Sequence, residues 1–146
     1  MTDLSPWHRL MAMDTVIALH KLGIDKYGGD HSPPKENCLE QSLGGAYSAE
    51  QYTSTEDSVE GLIFAGYLLF YLVSNHCFVD GNKRIGWLAA MRVLLSLGLT
   101  VSATDDEAEE FCMRIADSQK LDAIRDGQNV VIWLSERLEA IPQSRS

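Results

Sequence analysis

Basic residues are scarce in this chain, as are cysteine, proline and any apolar run long enough for a membrane. Twelve Lys and Arg stand against 21 Asp and Glu, a net charge of -9 over 146 residues. Holding a nucleic-acid backbone needs clustered cations that neutralise phosphates, so a general DNA or RNA partner is excluded. The acidity suits a basic protein partner, although carboxylates on a soluble surface serve first for solvation. Leu62 to Val73 is apolar apart from Gly66 but falls short of the roughly 20 residues needed to cross a bilayer. It reads as a buried helix. Met1 to Leu10 has no cationic segment leading into an apolar one, so no secretion or membrane anchor is expected, and the expected location is cytoplasmic. Cys38, Cys77 and Cys112 are few, far apart and without C-x-x-C spacing, which excludes a common zinc or redox motif and predicts reduced thiols. A P-loop is also missing, because Gly61-x-x-x-x-Gly66 is followed by Tyr67 where that loop needs lysine.

What remains is a chain with 45% hydrophobic residues, enough to bury a core without metal or disulfides. No repeat, low-complexity stretch or linker divides it, which predicts a single domain over 1–146 with a polar tail from about residue 142. Met13, Val16, Ile17, His20, Ile24 and Tyr27 share one helix face, and Gly28-Gly29 stops it. His20 on that stripe reads as a packed, hydrogen-bonded core residue. Ser32-Pro33-Pro34 predicts a capped start to a short helix through Leu39 that ends at Gly44-Gly45. Ala46 to Thr55 shows no helical period and reads as a loop or hairpin. Ser54-Thr55-Glu56-Asp57 then opens a helix that the apolar run carries to about Asn75. Another helix is expected from Asn82 through Trp87, Leu88, Met91, Leu94 and Leu95 to Gly98. Thr104-Asp105-Asp106-Glu107 is a capping box that opens a helix over about 105–118. A last helix uses Val130, Leu134, Leu138 and Ile141.

Between the two most apolar helices lies His76-Cys77-Phe78-Val79-Asp80-Gly81-Asn82-Lys83-Arg84. Lys83 and Arg84 in a first turn oppose the positive end of the helix dipole, at about 0.3–1 kcal/mol each when exposed. A bound anion reverses that sign. Backbone N–H groups at the helix start, a glycine that admits close approach and two cations together make a phosphate cradle. Asp80 beside it is a hard oxygen ligand suited to Mg2+ bridging nucleotide phosphates. His76 can take a proton from an incoming hydroxyl, imidazole being the commonest general base. Phe78 reads as a buried anchor of the loop. The bland alternative is a polar turn, with His76 capping a carboxyl end and both cations solvated. A Cys77 nucleophile is disfavoured, since adjacent residues point in different directions.

The run His76-x-Phe78-x-Asp80-Gly81-Asn82-Lys83-Arg84 resembles the signature of Fic/Doc proteins, specifically the death-on-curing (Doc) branch, and agrees at seven specified positions. Ala18-Leu19-His20 and Lys26-Tyr27-Gly28-Gly29 are similar to the first helix of that branch. The resemblance implies an all-α, compact helical bundle with a short β-hairpin flap, and a transferase that moves part of ATP onto a protein hydroxyl. It makes His76 the base, Asp80 the Mg2+ ligand, and Gly81, Asn82, Lys83 and Arg84 the phosphate holders. Ala46 to Thr55 takes the flap's place, with Tyr47 and Tyr52 lining a strand-addition contact to the target. Lys83, where AMP-transferring relatives usually have glycine, implies transfer of the terminal phosphate: a toxin kinase that arrests translation, with elongation factor Tu as the family's example target. AMP transfer (AMPylation) and an inactive Fic-fold binding module are the alternatives. An antitoxin covering the active site is the implied partner, with neither nucleic acid nor membrane expected. Ser32-Pro33-Pro34-Lys35-Glu36-Asn37 matches the inhibitory Ser/Thr-x-x-x-Glu-Gly/Asn pattern, but that pattern is loose and the stretch already reads as a helix start, so self-inhibition is set aside.

Overall fold

The architecture is organised by one helix that has no polar face. The computed structural model of the protein describes residues 11–119 and 121–142; the expectations for Met1 to Leu10 and for the tail past 142 lie outside the described residues. In chain order the elements are α1 (Met13–Tyr27), α2 (Cys38–Thr53), α3 (Leu62–Ser74), α4 (Asn82–Ser96), β1 (Leu99–Val101), α5 (Asp105–Asp117), α6 (Ala123–Ser135) and β2 (Leu138–Ala140). Residues 62, 64–70 and 72–74 of α3 are buried. Such a helix is stable only with neighbours on every side, and α2, α4, α5 and α6 provide them, while α1 packs chiefly on α4. Where α3 meets α6 the approach is close: a Cβ on Gly127 would stand 2.1 Å from the Tyr67 ring, whose hydroxyl donates to the Ile124 carbonyl at 2.6 Å. The two strands pair antiparallel, with Leu99 opposite Ala140. Ile141 N–H donates to the Gly98 carbonyl at 2.8 Å, tying the end of this ribbon to the end of α4.

The all-α, compact bundle expected from the sequence is what forms, and α1, α4 and α5 lie where the periodicity and caps put them. Several expectations are corrected. Ser32-Pro33-Pro34 opens no helix; the first helical residue is Cys38, and Gly44-Gly45 lie inside α2 instead of ending it. A Cβ on Gly45 would meet the Tyr71 ring at 2.8 Å, so this glycine serves helix packing. Nor is Ala46 to Thr55 a hairpin flap, because α2 continues to Thr53. Its buried stripe is Leu39, Ser42, Leu43, Ala46 and Ala49, and small side chains of weak hydropathy hid that period. Ser54 to Asp57 belongs to a turn, in which Thr55 N–H donates to Ser58 Oγ at 2.8 Å, and α3 begins only after Gly61. Leu138 and Ile141 lie beyond α6, on and after β2. On α1 the buried face is Val16, His20, Gly23 and Ile24, whereas Met13, Ile17 and Tyr27 are exposed.

The reduced state expected for all three thiols is also corrected. Cys38 and Cys77 form a disulfide with Cα atoms 5.4 Å apart. Their wide spacing in sequence says nothing about which helices meet, and the first residue of α2 lies against the loop that follows α3. Cys112 is the free thiol, buried, and burial pushes its pKa up to about 12.

Candidate active site

The loop between α3 and α4 is held from both sides by parts of the chain distant in sequence. On the α2 side, Asn75 Nδ2 donates to Ser42 Oγ at 2.9 Å, Cys77 is bonded to Cys38, and Lys35 N–H donates to the Cys77 carbonyl at 2.8 Å. On the α1 side, the Phe78 ring stacks on His20 with centroids 3.7 Å apart and planes within 9°. His20 Nε2 lies 2.8 Å from the Asp80 carbonyl oxygen. A carbonyl only accepts, so Nε2 carries the proton. The expectation of a packed, hydrogen-bonded His20 thus holds, and so does that of a buried Phe78, which is 3% exposed.

Local bonds then set the loop's shape. Asn82 Oδ1 accepts from Phe78 N–H at 3.0 Å and its Nδ2 donates to the Phe78 carbonyl at 2.8 Å. Both ends of this carboxamide brace the loop, so the Asn82 side chain expected to hold phosphate is already engaged. Asp80 Oδ1 accepts from Gly81 N–H at 2.8 Å, so the amide expected to complete an anion hole is already engaged. The other carboxylate oxygen of Asp80 faces Gly29, where a Cβ would come within 2.6 Å of it. Gly28-Gly29 therefore does more than end α1: it clears the ground beside Asp80. His76 is exposed and sits at φ 49°, one of two non-glycine residues in the left-handed region among the described residues. The other, Asn37, precedes Cys38 as His76 precedes Cys77, so each half of the disulfide follows a sharp backbone turn. Left-handed non-glycine residues cost energy and gather at functional loops.

At the start of α4 the polar groups are left open. Gly81 is the N-cap with φ 81°, no side chain caps the helix, and its first turn holds no acid. The first intrahelical bond is Ile85 N–H to the Gly81 carbonyl at 2.9 Å, so the N–H groups of Asn82, Lys83 and Arg84 point out of the helix end. Arg84 crosses to α1. Its Nη1 donates weakly to the Gly23 carbonyl at 3.4 Å, and its guanidinium lies 4.6 Å from the centre of the Tyr27 ring. A Cβ on Gly23 would press on Arg84 Cδ at 3.1 Å. A carbonyl and a π face orient a guanidinium without neutralising it. The exposed Lys83 lies on the side of α5, near enough to Cys112 to act on its thiol. Among the described residues the ion pair is His31 with Asp25; neither Lys83 nor Arg84 has a carboxylate partner.

A family model described as the Fic/DOC family matches residues 10–94, a span that includes α1, the whole loop and most of α4. The chain belongs to the Fic/DOC family. No curated protein matches it. Fic/DOC proteins are protein-modifying transferases. In this Fic/DOC chain the structure brings Gly81 and Arg84 together at a packed seam between α1 and α4, with His20, Gly23 and Ile24, too tight to admit a water molecule. His76, Asp80 and Lys83 stand on the loop and helix start outside that seam. Tyr47 and Tyr52 join neither group. Tyr47 stacks on Phe64, donates to the Met11 carbonyl at 2.9 Å and has its pKa raised by burial, whereas Tyr52 is exposed near the end of α2. With α2 helical, strand addition at this segment is withdrawn. Glu36 forms no ion pair with Arg84 among the described residues. No described helix is long and apolar enough to cross a membrane. Sequence reading missed His20, Tyr27 and Gly29 as parts of the site. Their two signals were a polar residue on an apolar stripe and a Gly-Gly pair with more to do than stop a helix.

Proposed function

We propose that this protein is a Doc-like kinase that moves the terminal phosphate of ATP to a Ser or Thr hydroxyl of a target protein, a translation elongation factor such as elongation factor Tu, and thereby arrests translation. The observation that carries the reading is the start of α4, just after Asp80, which has no side-chain cap and no acid in its first turn and carries Lys83 and Arg84, neither with a carboxylate partner among the described residues. Such a helix end favours a polyphosphate. His76, exposed on the loop, takes the proton of the attacking hydroxyl, whose oxygen bonds to the γ-phosphorus as the bond to ADP breaks. Asp80 would hold Mg2+ as a single carboxylate ligand, since nucleotide-bound Mg2+ uses one or two carboxylates plus phosphate oxygens. When bound, the ion supplies neutralising charge. Lys83 and Arg84 hold the remaining phosphate oxygens, with Arg84 aimed by Gly23 and Tyr27. An antitoxin covering this face completes the proposal, and the net charge of -9 favours a basic one.

The test is a translation extract treated with the protein and ATP labelled at either the α or the γ phosphate. Retention of γ label on a protein, with a mass gain of one phosphate, is expected. Retention of α label alone sinks the kinase reading in favour of AMPylation. A His76→Ala variant as toxic as its parent would instead support a silent binding module.

A further inference from the structure

We infer that His20, on α1, is a positioning residue of the transfer reaction: it sets the peptide of Asp80 and thereby aims the Asp80 carboxylate. The inference rests on the nucleotide-site reading above. Its imidazole touches the loop at Phe78 and Asp80 and lies alongside Gly81. One face lies on Phe78 at 3.7 Å, Nε2–H donates to the Asp80 carbonyl at 2.8 Å, and a Cβ on Gly81 would stand 3.5 Å from Cδ2 and Nε2. The ring is 6% exposed, so this bond has little competition from water. The carbonyl that His20 holds and the carboxylate oxygen that bonds Gly81 N–H belong to the same residue. Fixing the peptide plane therefore leaves the Asp80 side chain few directions, with one oxygen on Gly81 and the other facing Gly29. Residues that orient a metal-holding carboxylate typically matter by about 10–100-fold in activity or metal affinity.

Two substitutions separate the donor from the ring. His20→Gln keeps a donor at the reach of Nε2, whereas His20→Phe keeps a ring against Phe78 and deletes the donor. Transfer from γ-labelled ATP is measured in a translation extract as a function of Mg2+, with thermal melting of each variant alongside. His20→Phe is expected to lower the maximal rate about 10–100-fold and to raise the Mg2+ needed for half of it, with the KM for ATP little changed. His20→Gln is expected to restore most of both. A Phe variant with wild-type rate and Mg2+ requirement overturns the inference, as does a folded Gln variant no better than Phe. Nitrogen NMR of the imidazole gives a readout independent of transfer and of whether either variant folds. A slowly exchanging proton on Nε2 is expected, and an unprotonated Nε2 overturns the inference. If the wild-type protein transfers no label from ATP, the nucleotide-site reading falls, and the NMR result still decides whether His20 holds the loop.

Discussion

Two helix starts in this molecule are built on opposite plans. α5 begins with a complete capping box: Thr104 Oγ1 accepts from Glu107 N–H at 3.1 Å, and Asp105, Asp106 and Glu107 fill its first turn. Every local term there favours the helix. α4 begins with no side-chain cap, no acid and two cations. It is held instead from a distance, by His20 from α1, by Cys38 from α2 and by the brace of Asn82 on Phe78. The first plan satisfies its own end. The second leaves its end without a side-chain cap and transfers the cost of order to the surrounding scaffold.

The sharpest way to break this comparison is to remove the charge that the α4 start presents. Arg84→Ala is expected to lower label transfer by about 10²–10³-fold, the usual loss when one preorganised charged donor is deleted, and a wild-type rate would end the anion-site reading. Removing the distant support comes next. Cys38→Ser opens a bridge between positions 39 residues apart and should cost about 2–4 kcal/mol in denaturant unfolding, a loss that dithiothreitol reproduces in the wild type and not in the variant. At the self-contained start, Thr104→Ala should cost about 1 kcal/mol while leaving transfer unchanged. Smallest of all, Lys83→Gln should stabilise the protein by about 0.3–1 kcal/mol at low salt even as transfer falls. A destabilised Lys83→Gln protein would mean that the lysine serves the fold and not a ligand.

The same contrast explains what could be read from the sequence. The α5 start was legible because its partners lie three residues apart. The extent of α4 and the acid-free, cationic character of its first turn were legible too, since glycine and two cations are local facts. What orders the loop was not, because His20 and Cys38 reach it from sequence separations of 60 and 39 residues. α2 was lost for another reason: hydrophobic periodicity reports large side chains, and Ser42, Ala46 and Ala49 pack closely while hardly registering. Tyr47 was placed on a flap because its aperiodic stretch takes the flap's place in the family resemblance, yet it packs on Phe64 inside the bundle.

The bond between Cys38 and Cys77 also makes residues 38–77 a closed covalent ring that contains both α2 and α3. A single peptide cut in the exposed turn at Glu56 or Asp57 would open that ring without separating the molecule. The two pieces would travel as one particle, heavier by one water, until a reductant released them.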